Sequence, residues 1–467
     1  MPKTEVENGV IKFAGLEVPG DLKKVNFFFL FFNTVLIATL QAMPAIIQPA
    51  FLKDIIKVSP EFFGSINGLL QNMSQIAMLA FVGVIGILSD KVGRKILAVF
   101  GFIILTIFYY LYGMSNEIAT ALSIPSGIAA NVCAGLLFMW SRASEFTQFA
   151  PGLLISYVLR FMIGIGVILC VPQFITMVAD YTCTKDRGKG MALNGIMFGL
   201  GSTIVFVVFA PIGRKSGVEI LFVFSSIIAL VGVIATWAFL KDRLPEINTK
   251  KTGAGEVFKV VNKSMALKAS YLCCLITRSD AIVFATFLIT WAVQISDNYN
   301  LTSGAATMKG SIPMIVLSIA TLIAFPFAGI MLDRWGRAPT IITSLLCGGL
   351  GILLISLCPN PFTPLIYIPV VLAGFGMAGY LAGANTMATD ASPKSMVGSV
   401  LGGLNTMQPI GVLFFLAAGG YVFDVFGPGW VFALKGGANI ILGIWMLTVR
   451  KRINIELTMT KRVVNDN

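Results

Sequence analysis

Histidine is absent from all 467 residues of the chain. Its absence removes the commonest metal ligand and the commonest general base at neutral pH, so proton chemistry must run through carboxylates. Charge is scarce as well: Asp, Glu, Lys and Arg make up 12% of the sequence, against 56% hydrophobic residues and 36 Phe. Those proportions fall outside the range of water-soluble globular chains. No GxSxG or HExxH stretch occurs, which leaves serine-hydrolase and zinc-hydrolase chemistry without their parts and argues against an enzyme. The seven cysteines (133, 170, 183, 273, 274, 347 and 358) show neither ligand spacing nor a disulfide framework and read as small core hydrophobes. No metal and no cofactor is expected.

What the chain has in abundance is apolar runs of about twenty residues, each long enough to cross a bilayer. Twelve are expected, six within 25–240 and six within 269–449. Around them lie an N-tail (1–24), a basic linker (241–268) and a C-tail (450–467). The net charge of +12 could have pointed to nucleic acid. Its placement in short segments between apolar runs points to a membrane surface instead, so the bilayer is the expected partner and nucleic acid is not. Of the 34 Lys and Arg, 25 fall on the side of both termini, which puts the termini in the cytoplasm by the positive-inside rule. The first run is too long, and too poor in small-x-small sites, to be a cleaved signal.

One ten-residue stretch occurs twice. GILSDKVGRK runs from Gly86 to Lys95 and GIMLDRWGRA from Gly329 to Ala338, each between two apolar runs. Asp90 and Asp333 are 243 residues apart, about half the chain, as a two-bundle repeat requires. In the first copy Gly86 allows close helix approach, Asp90 sits where a helix leaves the membrane, Gly93 permits the turn, and Arg94 and Lys95 stay at the anionic surface. A carboxylate and a guanidinium at such a helix end can pair across helices, with Asp180 as a further member. A second repeat joins Asp180, ahead of TKDRGKGMALNG, to Asp390, ahead of SPKSMVGSVLGG, at an offset of 210. The offsets differ by 33 residues, so the first half carries an insertion of about that size, assigned to 115–150 on the outer side. Gly127 to Ser141 within it is apolar but only fifteen residues long, too short to span.

These motifs resemble the hallmark loop of the major facilitator superfamily, whose pattern lies between helices 2 and 3 with a weaker copy between 8 and 9. The first copy matches at every defining position. The second keeps Gly329, Asp333, Arg334, Gly336 and Arg337 but has Ala338 where a basic residue is usual. RFMIGIG, from Arg160 to Gly166, is similar to that superfamily's fourth-helix motif. The resemblance implies an all-α integral membrane protein with twelve transmembrane helices in two pseudo-symmetric six-helix bundles, acting as a monomer by alternating access. Leu200 stands where the antiporter motif has proline, and signatures of sugar porters and monocarboxylate carriers are missing, so no subfamily is identified.

Substrate and coupling candidates are the polar residues inside the spans, since intramembrane ionisable groups are functional hypotheses by default. Arg160 lies about ten residues from the outer end of its span, too deep for easy snorkelling; the alternative is a structural arginine bonded to neighbouring helices. Asp280 is the carboxylate nearest mid-membrane and shares a helical stripe with Trp291 and Gln294. It is read either as the proton-coupling residue or as half of a fixed ion pair with an arginine from another helix. Arg278 is two positions away and cannot share its face. Gln41, Asn67, Gln71 and Asn385 are further candidates, each with helix-to-helix bonding as the plainer reading. The stretch 253–268 sets Val257, Val260, Val261 and Met265 opposite lysines, as a helix on the inner leaflet would; a solvated basic loop is the alternative. The expected function is proton-coupled transport of a small organic solute across the plasma or bacterial inner membrane, with Arg160 or Arg278 favouring an anionic group. Efflux of amphipathic or lipophilic compounds and a non-transporting receptor are the alternatives.

Overall fold

The structure, a computed structural model, describes residues 10–13, 16–19, 22–183, 186–243, 254–393 and 396–465, with the side chains of Asp90, Ala254 and residues 10–18 and 459–465 outside that description. Linker residues 244–253 therefore lie outside the described residues. Among the described residues twelve helices are long and apolar enough to cross a membrane. Span one is Lys24–Ile56, span two Pro60–Ser89, span three Arg94–Gly113, span four Ala150–Tyr181, span five Arg187–Ser216 and span six Glu219–Phe239. Spans seven to twelve are Met265–Gln294, Ser303–Arg334, Arg337–Ile355, Pro364–Ala391, Val397–Phe426 and Pro428–Thr458.

The chain divides into two compact units. Unit one holds Met1–Ser59, Met73–Ile247 and Asp297–Met308; unit two holds Pro60–Asn72, Asn248–Ser296 and Lys309–Asn467. Each unit takes a short segment from the other half of the sequence. Inside unit one, span one packs on spans four, five and six, and span three on spans four and six; inside unit two, span seven packs on ten, eleven and twelve, and span nine on ten and twelve. The two contact patterns are the same pattern shifted by six spans.

Glycine makes the tightest of these contacts possible. A Cβ at Gly166 would lie 2.7 Å from Leu105 and 3.0 Å from the Gly101 carbonyl, and one at Gly376 would lie 2.2 Å from the Gly348 nitrogen. Gly166 and Gly376 are 210 residues apart, the same offset as Asp180 and Asp390, so the seam of spans three and four recurs between nine and ten. Dispersion across such seams supplies helix attachment where lipid weakens the hydrophobic drive.

The two hallmark turns are built alike. Gly93 has φ +107 and Gly336 φ +94, both in the region where a Cβ is penalised. The turns before spans six and twelve are also paired: Gly217 and Gly427 have φ 84 and 104 and stand 210 residues apart. Residues 114–149, which hold most of the expected insertion, lie between spans three and four. They run through short helices at Ser115–Ala121 and Ser126–Leu136 and a 3-10 turn at Trp140–Phe146. Span nine meets span ten with only residues 356–363 between them.

Three expectations change. The N-tail contains an antiparallel hairpin, Val10–Phe13 against Leu16–Pro19, with Val10 opposite Pro19; VIKF and LEVP are short β-prone runs that a polar-tail reading passes over. The linker helix is Ala254–Lys263, and Val257 is buried near Gly403 of span eleven, so part of its apolar face is covered by protein. Gly86 is exposed and Gly329 half-buried, and a Cβ on either would meet nothing within 4 Å. The close helix approach expected at Gly86 is not made, because that face of span two points away from its unit.

Gly93 and Gly336 differ in one respect that can be tested. A Cβ at Gly93 would fall 2.5 Å from Asp242 Oδ2, whereas at Gly336 the nearest atom is 3.9 Å away. Gly93→Ala and Gly336→Ala should both lose about 1–2 kcal/mol to backbone strain. Gly93→Ala should lose more, because Asp242 must also move; melting of the two purified variants in detergent, giving equal midpoints, would contradict this.

Candidate functional site

Span seven is discontinuous. Its helix stops at Thr277, Arg278 and Ser279 form a turn with ψ −14 and −13, and a second helical segment begins at Asp280. A break of this kind releases backbone groups that must be satisfied inside the protein. The Ile276 carbonyl accepts from Ser279 Oγ at 2.8 Å and from Lys435 Nζ at 2.5 Å. Lys435 comes from span twelve, and its ammonium also pairs with Asp280 Oδ1 at 2.5 Å and lies 4.0 Å from the Phe415 ring centroid. Asp280 Oδ2 accepts from Tyr380 Oη at 2.5 Å and Asn439 Nδ2 at 2.9 Å. Asp280 and Lys435 are each 1% exposed, Tyr380 and Asn439 0%.

The arrangement follows the helix dipole. The lysine cation sits at the C-terminal end of the first segment and the aspartate anion at the first residue of the second, where each is favoured. The fixed ion pair considered for Asp280 is present, but its partner is Lys435 rather than an arginine. Lys435 has no role in the reading from sequence; its one signal there is that it stands alone, seven residues into an otherwise apolar span.

Arg278 points to the other face of the break. Its Nη2 donates to Asn385 Oδ1 at 2.6 Å, and Nη1 to Asn405 Oδ1 at 3.1 Å and Gln408 Oε1 at 3.5 Å. All three partners are neutral amides from spans ten and eleven, and no ion pair to Arg278 forms among the described residues. Asn385 and Asn405 are exposed and Arg278 is half-buried. A half-exposed cation among amides is ready to exchange a neutral oxygen for an anionic one, since charge-assisted bonds are stronger.

Arg160, in unit one, is only 4% exposed. Tyr109 and Tyr112 are among the groups that interact electrostatically with its guanidinium. Tyr109 donates to the Leu40 carbonyl at 2.5 Å and Gln48 Nε2 donates to Tyr112 Oη at 3.2 Å. Ser74 of span two donates to the Arg160 carbonyl at 3.4 Å. The motif glycine Gly164 makes room for the Ser74 backbone, whose Cα would lie 2.7 Å from an added Cβ. Gln41 is half-buried in the same unit.

The remaining polar candidates bond between helices. Asn67 donates to Thr290 at 2.6 Å, Gln294 to the Pro60 carbonyl at 3.2 Å, and Trp291 packs 6.3 Å from Phe432. Gln71 is buried. Three amides converge on the Arg278 guanidinium.

At the motif turns Arg94 pairs with Asp180, and Arg337 pairs with Asp390 at 2.9 Å and Asp333 at 3.1 Å. The two arginines are 243 residues apart and Asp180 and Asp390 are 210 apart, so the pairs are repeat equivalents. Asp242 adds a member: its Oδ1 accepts from the Lys95 backbone at 2.8 Å, capping span three, while Arg243 donates to the Asp180 carbonyl at 2.9 Å. The Asp90 side chain lies outside the described residues, and Arg334 is exposed.

The profile of the Major Facilitator Superfamily matches residues 30–308 and 275–460. The chain belongs to that superfamily. It is therefore a transporter-family chain rather than an enzyme. It is 25% identical over 406 residues to the magnetosome protein MamH of Paramagnetospirillum magneticum, covering 87% of this chain and 88% of that one. It is also 25% identical to MamZ of Magnetospirillum gryphiswaldense over 90% of this chain, although it spans only 62% of the length of MamZ. The multidrug efflux pump PmrA of Streptococcus pneumoniae is 28% identical over 32% of this chain and 36% of its own. Among solved structures, a D-xylose-proton symporter superposes with TM-score 0.66 at 15% identity over 90% of this chain and 97% of that one. The nucleoside transporter NupG gives TM-score 0.62 at 13% identity, covering 91% of this chain and 99% of its own. At such identities the likeness is one of superfamily fold.

The Asp280–Lys435 pair makes a direct prediction. Lys435→Met leaves a buried carboxylate without its cation and should cost about 3–5 kcal/mol, whereas adding Asp280→Asn should restore most of the loss. Melting midpoints of the single and double variants decide it; a double variant as unstable as the single would mean that the pairing carries little of the fold.

Proposed function

We propose that this protein is a secondary active transporter that moves a small organic anion by alternating access, coupled to protons. The observation that carries the reading is Arg278, a half-exposed cation at the break of span seven, held by three neutral amide oxygens. An incoming carboxylate or phosphate group would replace amide oxygens and gain a charge-assisted, bidentate contact. Arg160 is the second candidate contact, in unit one. Asp280 is the proposed proton carrier: protonation would cancel the charge that holds Lys435, and the ammonium would then lean on the Ile276 carbonyl and the Phe415 ring alone. In this reading both termini are cytoplasmic and the transporter works as a monomer.

The location is proposed as the plasma or bacterial inner membrane. Similarity to MamH and MamZ over most of the chain supports the magnetosome membrane as the equivalent site in an organism that makes one. A second reading, efflux of amphipathic or lipophilic compounds, is favoured by the local similarity to PmrA.

The test is a thermal-shift screen of purified protein against organic anions and lipophilic amines at two pH values, followed by vesicle flux for the hits. Organic anions should give the shifts. Arg278→Gln should raise their KM by about tenfold, the loss of one charge-assisted contact worth about 1.4 kcal/mol. Asp280→Asn, combined with Lys435→Met so that no buried charge is stranded, should abolish pH-gradient-driven uptake while sparing exchange, and Asp280→Glu should retain uptake. Full gradient-driven uptake by that double variant would remove the coupling role, and shifts confined to lipophilic amines would favour efflux.

A further inference from the structure

We infer that the insertion helix Ser126–Leu136 is a lipid-facing brace on span four, seated in the bilayer leaflet on the side opposite the Gly93 turn. One face of the helix is covered by protein. Ala129, Ala130, Cys133 and Ala134 are buried, the helix packs on span four, and Cys133 Sγ donates to the Ala150 carbonyl at 3.7 Å. The other face is apolar and open: Ile128, Val132 and Leu136, spaced four residues apart, are 62%, 42% and 42% exposed. Asn131 stands at the edge of this stripe. Eleven residues make about 16 Å of helix, roughly half the hydrocarbon thickness, so the segment can enter one leaflet without crossing.

The chain leaves this helix through Phe138, whose φ is 59. Left-handed backbone at a residue with a Cβ costs about 1–2 kcal/mol, yet here it displays a phenyl ring that is 81% exposed. Trp140 follows, 63% exposed, its ring 5.6 Å from that of Phe138. Strain that holds an aromatic pair outward makes sense at a membrane boundary, where Trp and other aromatic side chains anchor helix ends. Beyond the pair, Arg142 donates to both Glu145 oxygens at 2.8 and 2.7 Å and holds that carboxyl below its usual range. The order apolar helix, aromatic pair, ion pair is the order of depth from hydrocarbon to water.

Continuity with the bilayer surface supports the assignment. Span three packs on the same span four and carries its own open stripe, Phe100, Ile103, Ile107 and Tyr110, which a spanning helix presents to lipid. The insertion helix extends that surface sideways. A lid over a polar passage would have its apolar stripe turned inward, whereas here the inward face is the small-residue one.

Nitroxide labels at Ile128→Cys, Val132→Cys and Leu136→Cys test the placement. The background would have Cys347 and Cys358 replaced by Ser, and the protein would be reconstituted in phosphatidylcholine and phosphatidylglycerol vesicles. Collision with oxygen should exceed collision with a water-soluble nickel chelate several-fold at all three sites, and the ratio should invert at Ser144→Cys. Nickel-dominated collisions at the three sites would place the face in water. Low collision with both reagents, with broadening that grows with protein density, would place a second copy there; either result overturns the inference.

Discussion

The Asp280–Lys435 pair is the constraint on which the rest of unit two depends. Span seven cannot be broken inside a membrane unless its loosened carbonyl and both new helix ends are satisfied, and lipid offers nothing to satisfy them. One lysine from span twelve meets the carbonyl and the aspartate together, at 2.5 Å each, and Tyr380 and Asn439 complete the carboxylate. Because the break is held from the buried side, Arg278 can face the other way. Burying the two charges costs several kcal/mol before pairing; what the pair secures is a fixed position for a third charge.

The motif turns follow a comparable logic at the helix ends. Each begins span three or nine with a glycine at positive φ and an arginine that returns to an aspartate at the end of span four or ten. In the first copy Asp242 caps the start of span three as well, which ties the entry to the linker to the same turn. The second copy uses Asp333 as an additional partner of Arg337 instead. Two solutions to one geometric problem are thus visible in a single chain.

Much of the fold is legible from particular residues. Asp90, Gly93, Arg94 and their copies announce the turns because each turn tolerates few residue types. Lys435 is less legible, because a lysine near a span's end reads as surface when depth is judged by position alone; its side chain reaches inward. Tyr380 and Asn439 carry no compositional signal, since tyrosine and asparagine in a span serve equally as links between helices. Arg278 is visible as a charge, but its amide partners come from spans more than a hundred residues later, and only folding brings them together.

The composition of the compact units has a consequence for how the chain can be divided. Residues 60–72 belong to the unit built mainly from the second half, and residues 297–308 to the unit built mainly from the first. Lys53 is paired with Asp297 at 2.8 Å, and Asp424 accepts the Gly64 and Ser65 amides at 2.7 and 2.8 Å. Severing the backbone within the linker would therefore not yield two self-sufficient proteins. Each fragment would carry a segment of the other's unit and lack a piece of its own.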